Sequence, residues 1–120
     1  MRLRMRRELS RAKPGSGDFD IKQDPGGTAD IEFLAQYWAL RWAKEFPPLV
    51  HFSDTIRQLE SVASAALVPQ EQVDQLVRAY QVYRALSHRR SLEGQSGAVP
   101  ARDLAVQREA VTAIWSSWMT

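Results

Sequence analysis

The chain has 120 residues, of which 44% are hydrophobic and 25% are charged, so its composition is that of one ordinary globular domain. Its formal net charge is only +2, too small for a surface built to bind nucleic acid. The lack of cysteine excludes disulfides and thiolate metal sites and fits a cytoplasmic protein. No apolar run approaches the ~20 residues that cross a bilayer, so no membrane partner is expected.

Residues 1–27 are predicted to form a basic helix, an extended segment and a turn. Met1 to Lys13 has six basic residues among good helix formers. Phe19 to Gln23 alternates apolar and polar residues, which is the period of a short strand. Gly26 and Gly27 predict a tight turn with a positive φ at Gly27. Because an isolated strand has unpaired backbone groups, we expect the stretch before the glycines to be poorly held.

The helix after this turn is predicted to lie at the centre of the core. Its hydrophobic residues fall on two helical stripes, so it is expected to be buried on more than one side. One stripe is Ile31, Leu34 and Trp38, and the other is Phe33, Tyr37 and Leu40. The helix should begin near Ala29 and end near Glu45, before a pair of prolines.

Three further helices are predicted. Ser53 is the candidate cap of the second helix, and Pro69 fits the first position of the third, which should end near Leu92. Pro100 should open the last helix. Short loops favour neighbouring antiparallel helices, so the predicted fold is all-α, with a four-helix-bundle-like domain over residues 28–120.

One segment, residues 19–33, suggests a chemical role. Free N–H groups in the first turn of a helix attract anions, and glycine lets a phosphate approach the backbone. Lys22 adds a positive charge near the glycines, while Asp30 and Glu32 begin the helix and should point to nearly opposite sides of it. Each feature also has a structural explanation, as a turn or as favourable charge at a helix start, so this signal alone is weak.

The residue order in this segment adds information. The sequence has FDIK at residues 19–22, two glycines, DIEF at residues 30–33 and a Gln-Tyr pair at residues 36–37. This order resembles the segment that follows the catalytic domain in bacterial glutamine synthetase adenylyltransferases, and the similarity extends to the Trp115–Trp118 region. Asp30, in place of the arginine-glutamate of the family's first half, resembles the second, adenylylating half.

The resemblance implies a helical domain of a nucleotidyltransferase that moves AMP from ATP to a tyrosine of glutamine synthetase in nitrogen regulation. It implies Mg²⁺ and ATP in the full-length enzyme, a catalytic domain joined through residues 1–27, and a PII-type signal protein as a further partner. The family's Gly-Ser motif with its Asp-x-Asp pair, and its V-D-x-R-L-R-P acid, are not identified here. Since nucleotidyl transfer needs clustered metal-binding carboxylates, the chain alone is expected to be inactive and to bind neither ATP nor Mg²⁺.

The resemblance also suggests which residues lie near the nucleotide. They are Lys22, Gly26, Gly27, Asp30 and Glu32. Arg84 and His88 are weaker candidates for a partner or nucleotide contact, because positive charge near a helix C-terminus is favoured in any case. No catalytic or metal-binding residue is predicted. The alternative is a free-standing helical protein-interaction module without catalytic activity; a nucleic-acid-binding bundle is less well supported.

Overall fold

The computed structural model describes residues 17–42 and 54–119. Within these ranges lie four α-helices: α1 (Thr28–Trp42), α2 (Thr55–Ser64), α3 (Gln70–Leu92) and α4 (Ala105–Met119). Two short strands, β1 (Asp18–Asp20) and β2 (Ala98–Pro100), flank them, and a 3₁₀ turn (Ala101–Leu104) leads into α4. The predicted all-α fold is confirmed. The predicted basic helix, the Ser53 cap and the end of the first helix near residue 45 lie outside the described residues.

The helices pack around α1. This helix contacts α2, α3 and α4, and α3 contacts α2 and α4 in turn. The stripe of Ile31, Leu34 and Trp38 is fully buried, as predicted. In the described part of the chain, no helix is both long and apolar enough to cross a membrane.

Two of the three residues in the second stripe of α1 lie on the surface, so their predicted burial is wrong, whereas Tyr37 is half-buried against the core. Phe33 is 50% exposed and Leu40 is 74% exposed. The buried arc of α1 is completed instead by Ala35 and Ala39, whose small side chains let neighbouring helices approach closely. The ring of Phe33 meets Trp115 of α4 with the centroids 5.3 Å apart.

The starts of three helices differ from those predicted, by one residue for α2 and α3 and by more for α4. α2 is capped by Asp54, whose carboxylate accepts a hydrogen bond from the backbone N–H of Arg57 at 3.1 Å. Pro69 is the residue before α3, not its first helical residue. Pro100 ends β2 and precedes the 3₁₀ turn, so α4 begins only at Ala105.

The extended segment has a partner strand in the same chain. β1 pairs antiparallel with β2, with Phe19 opposite Val99, and the amide of Ile21 donates to the carbonyl oxygen of Gly97 at 3.1 Å. Phe19 and Ile21 are fully buried in the core that the helices share. For residues 17–23, the expectation of a poorly held, isolated strand is therefore wrong, because the loop after α3 supplies the missing pairing. The boundary at residues 27 and 28 concerns a longer protein and stays a prediction.

We expect Phe19→Ala to destabilise this chain by about 3–5 kcal/mol, the usual cost of deleting a buried aromatic ring. Phe33→Ala is the matched control; because Phe33 is 50% exposed, it should cost under about 1 kcal/mol. Urea unfolding monitored by circular dichroism measures both changes. Equal losses for the two variants would show that β1 does not belong to the helical core.

Candidate functional site

The chain between β1 and α1 forms a tight turn, residues 24–27, which we call the glycine turn. Its backbone closes on itself and on β1. The amides of Asp24, Gly27 and Thr28 donate to the carbonyl oxygens of Asp20, Asp24 and Ile21 at 3.1, 3.0 and 2.8 Å, respectively. The turn therefore places the start of α1 directly beside the end of the strand.

An Asp-x-Asp spacing that sequence reasoning missed lies on β1, at Asp18 and Asp20. Asp20 is fully buried, and its carboxylate accepts hydrogen bonds from the backbone amides of Lys22 at 3.0 Å and Gln23 at 3.3 Å. This carboxylate therefore closes the chain reversal after β1. Among the described residues, no group of three or more His, Cys, Asp or Glu side chains is arranged to hold a metal ion.

Buried side chains satisfy both backbone polar groups of Gly26. The Asp30 carboxylate accepts a hydrogen bond from the Gly26 N–H at 2.7 Å. The Tyr83 hydroxyl, from α3, donates to the Gly26 carbonyl oxygen at 2.8 Å. Gly26 has φ of +87°, a conformation that L side chains rarely adopt. Asp30 itself is fully buried, so its carboxylate holds the turn from within the fold.

Glycine is required at position 27 because there is no room for a side chain, and not because the backbone has a positive φ there. The positive φ expected at Gly27 occurs at Gly26 instead. A Cβ atom on Gly27 would lie 2.2 Å from the carbonyl oxygen of Ile21, which is backbone and cannot move aside cheaply. A Gly27→Val substitution would therefore place a side chain where the Ile21 carbonyl already lies. The substitution should break the turn itself, so it cannot isolate a role at the nucleotide.

The helix α4 covers the outer side of the glycine turn. The Nε atom of Arg108 donates to the carbonyl oxygen of Pro25 at 3.3 Å. The Arg108 guanidinium lies 4.3 Å from the centre of the Phe19 ring, a cation–π contact. A Cβ on Gly26 would come within 2.9 Å of the Thr112 methyl group. Arg108 is not among the site residues that the sequence indicated.

The Tyr83 hydroxyl is held in its protonated form. Burial raises its pKa well above the usual value; the positive charge of Arg108 opposes this rise and the carboxylate of Asp30 adds to it. Across the neutral range, the hydroxyl therefore remains a hydrogen-bond donor to Gly26. Its ring also lies against Phe19, with the centroids 5.8 Å apart.

Glu32 and Arg84, two of the other predicted site residues, both contact Tyr80 of α3. Glu32 accepts a hydrogen bond from the Tyr80 hydroxyl at 3.1 Å, and the Arg84 guanidinium lies 5.5 Å from the centre of the Tyr80 ring. The structure thus brings Arg84 towards Glu32, while Lys22 and His88 are exposed. Asp30 binds the glycine turn, whereas Glu32 binds Tyr80 of α3.

Comparison with known proteins shows to which family this chain belongs. The model of the GlnD PII-uridylyltransferase family matches residues 1–98. The chain belongs to this family. Relatives of this family member include bifunctional glutamine synthetase adenylyltransferase/adenylyl-removing enzymes from Pseudomonas syringae pv. tomato (41% identical), Pseudomonas aeruginosa (42%) and Acinetobacter baylyi (43%). These matches confirm the resemblance seen in the motif.

The family member described here is much shorter than those relatives. The matches cover 96%, 88% and 96% of this chain but only 12%, 11% and 13% of the three relatives. The chain corresponds to a helical domain within them. The roles suggested for the individual site residues stay predictions.

We expect Tyr83→Phe to lower the stability of this family member by about 1–3 kcal/mol, because it leaves the buried Gly26 carbonyl without its donor. Tyr37→Phe is the control; its hydroxyl accepts only an exposed hydrogen bond from Arg41, so the loss should stay below about 0.5 kcal/mol. Urea denaturation of both variants measures the difference. A Tyr83→Phe protein as stable as the Tyr37→Phe protein would mean that the glycine turn does not depend on α3.

Proposed function

We propose that this chain is the helical domain of the adenylylating half of a glutamine synthetase adenylyltransferase. The observation that carries the proposal is the glycine turn, which lies within the motif resembling that family and is fixed by side chains of α1, α3 and α4. A turn held this firmly has a preorganised backbone, and preorganisation is what a surface facing a reacting phosphate requires. The names of the relatives support the same enzyme class.

In this proposal, the chain completes a cleft whose catalytic residues lie in a domain outside it. That domain would bind ATP with Mg²⁺, which bridges phosphate oxygens and neutralises their charge. From this chain, Gly26 and Gly27 would set the shape of the rim and Lys22 would attract the phosphates. Asp30 would act through Gly26, whose N–H it binds. Glu32, oriented by Tyr80, would face the edge of the cleft.

The proposed partners follow from the same assignment. Glutamine synthetase would be the protein substrate, as the names of the relatives say of those enzymes. A PII-type signal protein would act on the full-length enzyme, in the cytoplasm. Arg84 and His88, at the C-terminal half of α3, supply a basic exposed surface for a partner.

In the longer enzyme that contains this domain, we expect Lys22→Ala to reduce AMP transfer about tenfold, roughly the effect of losing one charge-assisted hydrogen bond to a phosphate. Because Lys22 is exposed, the melting temperature should stay unchanged. Arg78→Ala, another exposed basic residue, on α3, is the control and should leave turnover intact. Normal turnover in the Lys22→Ala enzyme would remove the proposed phosphate contact.

The isolated chain should transfer no AMP, because the described residues contain no carboxylate cluster for the metal. The measurement is incubation of the chain with labelled ATP, Mg²⁺ and glutamine synthetase, with the longer enzyme as positive control. Label on glutamine synthetase with the chain as the only enzyme would contradict this expectation.

A second candidate is a protein-interaction module without catalysis, which the exposed stripe of α1 favours. Phe33 stacks on Tyr37, next to Leu40, and all three leave apolar surface in contact with solvent. Clustered exposed apolar residues are typical of contact surfaces. The reading frame upstream of Met1 separates the candidates. An in-frame catalytic Asp-x-Asp motif supports the enzyme domain, and a naturally expressed 13.6 kDa chain supports the module.

A further inference from the structure

An open groove of about 360 Å³ lies against the glycine turn, between that turn and the first half of α4. Pro25 forms one wall, and Arg108 and Thr112 form the other. The small side chains of Ala101 and Ala105 also line the groove, and the exposed residues Arg102 and Glu109 complete its lining. Apart from Pro25, none of these residues belongs to the motif segment, and none is among the site residues that the sequence indicated.

Arg108 is fixed in place by contacts that leave part of its guanidinium available. Its Nε atom binds the Pro25 carbonyl, and the flat face of the group lies on the Phe19 ring. Within residues 17–42 and 54–119, no hydrogen bond engages its terminal Nη atoms. A guanidinium held in this way loses little side-chain freedom when it binds an anion, and its planar fork matches the oxygens of a phosphate.

The charges around the groove favour an anion. Arg102 and Arg108 contribute two positive charges, and Glu109 contributes one negative charge. Arg102 is loosely placed, with its Nε atom 3.9 Å from an oxygen of Asp103 and its side chain 89% exposed. It can therefore turn towards a bound anion, whereas Arg108 is already positioned.

We propose that this groove is a phosphate-binding site, in which the Arg108 fork holds a phosphate group and Arg102 adds a second positive charge. The ligand is inorganic phosphate or the phosphate chain of a nucleotide, since both present the same oxygens. The link between this groove and AMP transfer rests on the proposed function, because the groove adjoins the glycine turn. Phosphate binding by this chain does not rest on it.

The test is titration of the ¹⁵N-labelled chain with inorganic phosphate, and separately with ATP, at constant ionic strength maintained with chloride. We expect shifts of backbone amide signals confined to residues 26–27 and 101–112. Arg108→Lys keeps the charge but loses the fork, and should weaken binding about tenfold. Arg102→Gln should weaken it less, and Glu109→Gln should strengthen it. Arg78→Gln, away from the groove, should have no effect.

The outcomes decide the proposal. Shifts spread evenly over the surface arginines, or equal weakening by Arg78→Gln and Arg102→Gln, would overturn it. If Arg108→Lys fails to fold, opposite changes in affinity for Arg102→Gln and Glu109→Gln still support it, and unchanged affinities refute it. ATP binding more than about tenfold tighter than phosphate identifies a nucleotide as the ligand, and equal affinities identify phosphate. No binding would leave the proposed function standing, because that depends on Lys22 in the longer enzyme.

Discussion

The structure depends on how the two polar groups of the Gly26 backbone are satisfied. The N–H binds the buried carboxylate of Asp30, four residues later, and the carbonyl binds the hydroxyl of Tyr83, 57 residues later. An unsatisfied buried peptide group is costly, so these bonds tie the turn to α1 and to α3. Arg108 adds a link from α4 to the neighbouring Pro25 carbonyl. Side chains of three helices thus hold the two successive peptide groups on either side of Gly26.

This arrangement explains why structural and functional roles are hard to separate in the motif. Gly26 has a positive φ that other residues rarely adopt, and Gly27 has no room for a side chain. The carboxylate of Asp30 accepts a buried hydrogen bond from the Gly26 N–H. Changing any of them alters the fold first. A nucleotide contact is therefore best tested at side chains on which the turn does not depend. These are exposed Lys22 and half-buried Glu32.

Two surfaces of different character flank this rigid region. On one side, Arg108 borders a groove with two positive charges and one negative charge. On the other, α1 exposes Phe33 and Leu40, which a helix of an isolated globular domain would usually bury. The basic groove suits a small anion, and the apolar surface suits another protein or domain.

The sequence by itself determined the helices, because their periodicity and their prolines are local signals, and it determined the family, because the FDIK, Gly-Gly and DIEF groups stand in a fixed order. It did not predict β2, whose three residues carry too little alternation to be recognised. Nor did it show which stripe of α1 is buried, since both are apolar and only the positions of α2, α3 and α4 choose between them. The hydrogen bond from Tyr83 to Gly26 and the one from Arg108 to Pro25 join residues 57 and 83 positions apart, so only the tertiary structure decided them.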